Sequence, residues 1–145
     1  MKKKRKVCVA IFSRANYGSI RKVLEKLKTN SKIELQILVG GSANIEKYGS
    51  VSKLIKKDKF FIDEEIYFLV EGETPTTVVK TTALGMIEIA TAFQRLKPDI
   101  VLTVGDRYET LSTVVSAAAY ETTGLFKLSG DARTQKVPRY KGSGS

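Results

Sequence analysis

The chain has no histidine and a single cysteine, and only three of its 145 residues are proline. Without imidazole, proton transfer must fall to Asp, Glu, Lys, Tyr or Cys, and metal sites of the histidine type are excluded. One cysteine cannot form an intrachain disulfide. Cys8 alternates within an apolar stretch and reads as a small core residue, which fits a reducing compartment and a cytoplasmic location. The apolar run after the basic start is broken by Ser13 and Arg14, too early for a signal peptide or a membrane span, so no membrane partner is expected. The turn Ser13-Arg14-Ala15-Asn16-Tyr17-Gly18 has one glycine and lacks the spacing of a dinucleotide fingerprint or a Walker loop. Neither NAD nor an ATP phosphate loop is expected, and no cofactor is assigned. No internal repeat or low-complexity segment precedes residue 129.

The formal charge is +10. Residues 2 to 6 are all Lys or Arg and supply half of it; residues 127 to 145 supply most of the rest, leaving residues 7 to 126 nearly balanced. The excess therefore reads as lying on two ends and not on a folded face, which argues against nucleic acid as a partner. The run Lys2-Lys3-Lys4-Arg5-Lys6-Val7 also looks like a nuclear-import signal, but is taken as a solubilising lead-in to the first strand.

What is present is a regular alternation. Val7, Val9 and Ile11 interleave with Cys8, Ala10 and Phe12, so both faces of a strand over 6–12 are apolar, as in a central parallel strand. Ile20, Val23, Leu24 and Leu27 follow at helical spacing. A second strand over 33–39 ends at Gly40-Gly41, with Ser42 as a candidate N-cap of a short helix through Tyr48 that Gly49 stops. Val51, Leu54 and Ile55 mark a further helical turn or two. A third strand falls within 62–70. Thr74 caps a long helix with Pro75 in its first turn; its expected core stripe is Val79, Thr82, Ala83, Met86, Ile89, Ala90, Phe93 and Leu96. A fourth strand over 99–104 precedes a helix patterned by Leu111, Val114, Val115, Ala118 and Ala119, and residues 124–128 suit a fifth strand. The fold class is α/β, a Rossmann-like parallel sheet with helices on both faces. The expected organisation is a basic lead-in over 1–5, one domain over 6–128, and a disordered tail over 129–145. An unsupported edge strand near Leu125 would invite a homo-oligomer.

Candidate chemistry sits after strands. Gly105 breaks the fourth strand, and Asp106 and Arg107 follow at a helix start, on the side where open α/β sheets bind ligands. On spacing alone Asp106 serves equally well as a helix cap, with Arg107 in solvent. Arg14 lies at the first strand's tip before a helix N-terminus, where its planar fork suits a diphosphate, although a solvent-facing arginine fits the same pattern. If the first and fourth strands are neighbours, Arg14 and Asp106 face one pocket, with Arg107 and Glu109 close by. Gly40, Gly41 and Ser42 either line the same crevice or make only a tight turn.

These segments resemble the N-terminal half of the hydrolysing UDP-N-acetylglucosamine 2-epimerases. The resemblance rests on Ser13-Arg14-Ala15-Asn16-Tyr17-Gly18, Leu38-Val39-Gly40-Gly41-Ser42-Ala43, Val70-Glu71-Gly72-Glu73-Thr74-Pro75, and Leu96-Lys97-Pro98-Asp99 through Gly105-Asp106-Arg107-Tyr108-Glu109-Thr110. It spans about residues 5 to 122. It implies one half of a glycosyltransferase-B type fold with the active site between two domains. It implies elimination of UDP to a 2-acetamidoglucal, then hydration with inversion at C2, giving N-acetylmannosamine for sialic acid synthesis. By position, Asp106 would be the catalytic acid/base or substrate-orienting carboxylate. Arg14 would contact the diphosphate, and Arg107 and Glu109 would support the loop. Beyond residue 122 the pattern departs: Lys127 stands where the family has a histidine, and Gly130-Asp131 is a short echo of Gly-Gly-Glu. A truncated chain with a foreign tail is the expectation, weak or inactive alone and partnered by UDP-N-acetylglucosamine and by a missing second domain or partner subunit. The alternative is a non-catalytic Rossmann-like module that binds a sugar nucleotide or a partner subunit.

Overall fold

A computed structural model describes residues 2–105, 107–120, 122–127 and 134–136. In chain order the elements are β1 (Arg5–Ile11), α1 (Arg14–Thr29), β2 (Ile33–Val39), two short 3-10 turns (Gly41–Asn44 and Glu46–Tyr48), α2 (Val51–Lys57), β3 (Glu64–Glu65), α3 (Pro75–Leu96), β4 (Ile100–Val104), α4 (Tyr108–Ala119), β5 (Thr123–Lys127) and β6 (Thr134–Lys136). The sheet runs β3-β2-β1-β4-β5-β6. Its pairs are parallel from β3 to β5, and β6 is antiparallel to β5. The strand order reverses direction at β1, which lies between β2 and β4 with Val9 opposite both Ile37 and Leu102. That reversal opens a crevice at the strands' carboxyl ends.

Alternation along β1 divides the core in two. Val7, Val9 and Ile11 join Tyr17, Ile20 and Leu24 of α1 and Ile55 of α2 on one face. Cys8, Ala10 and Phe12 join Ile89 and Phe93 of α3 and Ala117 of α4 on the other. A period of two in the strand thus feeds two helical layers, each closed by apolar burial. The fold is the expected Rossmann-like α/β sheet with helices on both faces.

Four local expectations are corrected. Helix α1 starts at Arg14, because the Ser13 hydroxyl accepts the Asn16 N–H and caps it, so the expected turn over 13–18 is mostly helix. Ser42 is no N-cap; it lies inside a 3-10 turn and donates to the Phe12 carbonyl at 3.0 Å. The third strand keeps only two paired residues. The last ladder bond runs from the Ile66 N–H to the Val39 carbonyl at 2.9 Å; beyond it the chain buries Phe68 edge-on to Phe12 at 5.8 Å, and the Val70 N–H finds the Thr81 hydroxyl at 2.9 Å in place of a strand partner. The edge near Leu125 is covered by β6, whose residues fall in the tail expected to be disordered; the rest of that tail lies outside the described residues.

The α3–α4 layer also differs from the expected stripes. α3 buries Thr81, Gly85, Ile89, Ala92, Phe93 and Leu96, while Val79 is 67% exposed. α4 buries Glu109, Ser112, Thr113, Ser116 and Ala117, while Leu111 and Val115 face outward. The cause is close approach. A Cβ on Gly85 would stand 3.0 Å from the Ser112 hydroxyl oxygen and 3.2 Å from the Phe68 ring. Small residues occupy that contact, and Ser112 secures it by donating to the Thr82 carbonyl at 2.8 Å.

Candidate functional site

Three strand tips are tied together at the carboxyl edge. The Phe12 carbonyl at the end of β1 accepts both the Ser42 hydroxyl and the Ala43 N–H, the latter at 3.1 Å. This locks the β2 tip to the β1 tip. Gly41 makes the bend at φ 59°, a left-handed conformation that glycine adopts without steric cost. On the other side of β1, Asn16 accepts the Phe12 N–H at 3.2 Å through Oδ1. Its Nδ2 stands 3.1 Å from the place a Cβ of Gly105 would take. Gly105, at φ 136°, therefore turns the β4 tip against the start of α1.

Past these tips lies a hollow of about 610 Å³. The turns after β2 contribute Ser42, Lys47 and Tyr48; the segment before α3 contributes Leu69 through Glu73; α3 adds Thr77, Val78 and Thr81; and Arg107 and Tyr108 close it from the start of α4. Its wall is mixed: an apolar strip at Leu69, Val70 and Val78, hydroxyls at Ser42, Thr77 and Thr81, and charges of both signs. Arg107 and Lys47 each lie over the tyrosine that follows, at 5.2 and 5.5 Å from the ring centroid. Thr77, in the first turn of α3, reaches the same hollow, and it and Thr74 cap that helix reciprocally.

Beneath Arg107 sits Glu109, 3% exposed. Its Oε2 is 3.6 Å from the Arg107 Nε, and Oε1 has no hydrogen-bond partner among the described residues. Burial pushes the Glu109 carboxyl pKa up, against its own backbone hydrogen bond and the attraction of Arg107. The Tyr108 hydroxyl accepts from the Arg107 Nη2 at 3.2 Å, and burial raises its pKa as well. The pair of Arg107 and Glu109 thus joins a half-exposed cation at the hollow to a carboxylate packed under it. The Oε1 side of that carboxylate faces Gly41, 3.6 Å from where a Cβ there would stand.

The expected site residues divide accordingly. Ser42 and Arg107 share the hollow, with Glu109 directly under it. Gly40 lies behind the wall: Ile66 and Phe68 atoms stand 2.8 Å from where its Cβ would be, so the absence of a side chain is a packing requirement. Arg14 is exposed on the first turn of α1 and extends toward Gly49, not into this hollow. Asp106 lies outside the described residues. Lys47, Tyr48, Glu71, Glu73 and Thr77 were not singled out from the sequence as site residues. Glu71 and Glu73 stand in a segment that carried the family resemblance, whereas Lys47 and Tyr48 had no signal beyond following a strand.

Residues 25–134 match the family model described as UDP-N-acetylglucosamine 2-epimerase. A Campylobacter jejuni protein named GDP/UDP-N,N'-diacetylbacillosamine 2-epimerase (hydrolyzing) is 32% identical over 109 residues, which is 75% of this chain and 28% of that protein. The fold matches a UDP-N-acetylglucosamine 2-epimerase crystal structure with TM-score 0.74 and 19% identity, over 86% of this chain and 33% of the other. It also matches the Neisseria meningitidis UDP-GlcNAc 2-epimerase bound to UDP-GlcNAc, with TM-score 0.69 and 15% identity, over 83% of this chain and 31% of that one. The chain spans less than a third of the length of the curated relative, and the shared architecture is one half of a glycosyltransferase-B type fold. With matched segments running through β2, α3, β4 and α4, the chain belongs to the UDP-N-acetylglucosamine 2-epimerase family.

Proposed function

We propose that this chain forms one wall of a site for hydrolytic 2-epimerisation of a UDP-linked 2-acetamido sugar, with UDP-N-acetylglucosamine as substrate. The observation that carries the reading is the hollow at the strands' carboxyl edge, with Arg107 and Lys47 on its wall and Thr77 of the first turn of α3 beside them. Arg107 and Lys47 at one opening favour a diphosphate, with Glu71 and Glu73 on the opposing stretch of wall, and the neighbouring hydroxyls and apolar strip suit an acetamido sugar. In this reading Arg107 and Ser42 contact the sugar nucleotide, while Arg14, which extends toward Gly49, is not given the diphosphate contact that its place in the sequence suggests. Gly40 and Glu109 support the tips from behind. Asp106 takes the catalytic acid/base role that its place in the motif assigns.

The chemistry balances in two steps. A base removes the proton at C2 as the C1–O bond breaks, so that UDP leaves and a C1=C2 double bond remains. Water then adds its hydroxyl to C1 while a proton is delivered to C2 from the opposite face, giving N-acetylmannosamine. The resemblance implies a two-domain arrangement with this reaction between domains, so the 145-residue chain is expected to bind the nucleotide sugar while turning it over little. The second reading, a non-catalytic module for a sugar nucleotide or a partner subunit, makes the same binding prediction but no reaction once a complementary domain is supplied.

The experiment is saturation-transfer NMR of the chain with UDP-N-acetylglucosamine, followed by assay for UDP and N-acetylmannosamine with and without the complementary domain of a relative. Arg107→Ala should weaken binding roughly tenfold, the loss of about one charge-assisted contact. Equal binding by the variant would remove the proposed role of Arg107. Failure to incorporate deuterium at C2 of product formed in heavy water would exclude the elimination route.

A further inference from the structure

The opposite rim of the sheet carries a second surface. The basic run is not detached from the fold, as the charge map along the sequence implied. Arg5 opens the central strand, and its N–H donates to the Lys32 carbonyl at 3.0 Å. The Lys6 N–H donates to Asp99 Oδ2 at 2.8 Å, which brings the run beside the end of α3, where Lys97 is the exposed C-cap. On the other flank Lys28, in the last turn of α1, donates to the Lys59 carbonyl at 2.6 Å. Exposed Lys2, Lys3 and Lys4 thus continue into a rim bearing Lys28, Lys32, Lys59 and Lys97. Acids interrupt the rim, but each has a partner or faces a cation: Asp99 is occupied by the Lys6 backbone, Glu34 lies opposite Lys6 in the β1–β2 register, Asp58, next to Lys59, pairs with Arg21 at 3.2 Å, and Asp63 accepts the Ile37 N–H at 2.8 Å.

Two apolar features accompany this charge. Phe61, next but one to Lys59, is 79% exposed. Lys97 stands at a hollow of about 320 Å³ with Phe93, Pro98 and Tyr120. We propose that this amino-edge rim docks on an anionic phospholipid surface. All but one of its cations are lysines, compact hydrated charges suited to diffuse attraction and not to the forked readout of nucleic acid. An exposed phenylalanine adds the apolar signal that charge alone lacks, since peripheral membrane binding needs two. The contact is peripheral: among the described residues no helix is long and apolar enough to cross a membrane. It departs from the expectation of no membrane partner, which rested on the missing span. The parallel strands put the sugar-nucleotide hollow at the far rim, so docking leaves it open, and the inference stands independently of the reaction proposed above.

The test is co-sedimentation of the 145-residue chain with vesicles of phosphatidylcholine alone and of phosphatidylcholine mixed with phosphatidylglycerol. Binding is expected only to the mixed vesicles, fading as salt shortens the screening length from about 10 Å at 0.1 M to about 3 Å at 1 M. Lys32→Gln and Lys97→Gln should each lower affinity about five-fold, with unchanged thermal unfolding. Phe61→Ser should weaken binding without changing its salt dependence. Lys22→Gln and Lys80→Gln, on exposed helix faces elsewhere, should leave it unchanged. Equal binding to neutral vesicles would overturn the proposal, as would equal losses from the control lysines. So would displacement from the vesicles by duplex DNA or RNA at lower phosphate concentration, which would reassign the rim to nucleic acid.

Discussion

Burial of Glu109 beneath Arg107 leaves its carboxyl harder to ionise than one in the unfolded chain. The folded-state pKa is therefore raised above the unfolded value of about 4.3, and the group's contribution to stability is full below that pH and lost as pH rises through the folded pKa. Glu109→Gln should accordingly raise the melting temperature at neutral pH, with the gain shrinking to nothing in acid below about pH 4. Thermal unfolding followed by circular dichroism across that range checks this; a gain independent of pH would mean that the carboxylate's ionisation is not what matters there. The same residue shows how far composition can lead. Its place in a Gly-Asp-Arg-Tyr-Glu segment made it a candidate, but only the fold reveals that it lies under the wall while Arg107 meets the hollow.

At the scale of elements, α3 depends on its start. Thr74 and Thr77 cap each other's backbone groups, and Pro75 fills the first helical position. Thr74→Ala should cost about 1 kcal/mol, seen as a lower urea midpoint with unchanged slope. That cap and proline were legible in the sequence, as were β1, β2, β4 and β5, because strand period, glycine stops and caps are local signals. The buried faces of α3 and α4 were not. Hydrophobic period points to Val79, Leu111 and Val115, yet the helices meet through Gly85 and Ser112, whose small size permits contact and whose polarity hides it from any hydrophobic count. The third strand was over-read for a related reason. Ile66 and Phe68 alternate like a strand, but Ile66 makes the last ladder bond, to the Val39 carbonyl, and Phe68 is buried beyond it by packing on Phe12 and Gly40. Lys47 and Tyr48 became site residues only through the turns that follow β2, a tertiary placement that no local pattern encodes.

For the molecule as a whole, the middle of the sheet is set by strands far apart in sequence. β1 is flanked by β2 and by β4, and its Lys6 is tied to Asp99, ninety-three positions away. Residues 1–96 made alone would lack β4 and the α4 side of one core, and should lose the cooperative thermal transition that the chain through residue 136 retains. A fragment melting as sharply as the whole would show that β1 and β2 suffice as a nucleus. The arrangement also sets a timetable during synthesis. β1 leaves the ribosome before its far neighbour β4 and cannot be completed until β4 emerges, about five to twenty seconds later at ordinary elongation rates. Throughout that interval Val7 to Ile11 has at least one unpaired flank, exposing newborn chains to mispairing or to capture by a chaperone.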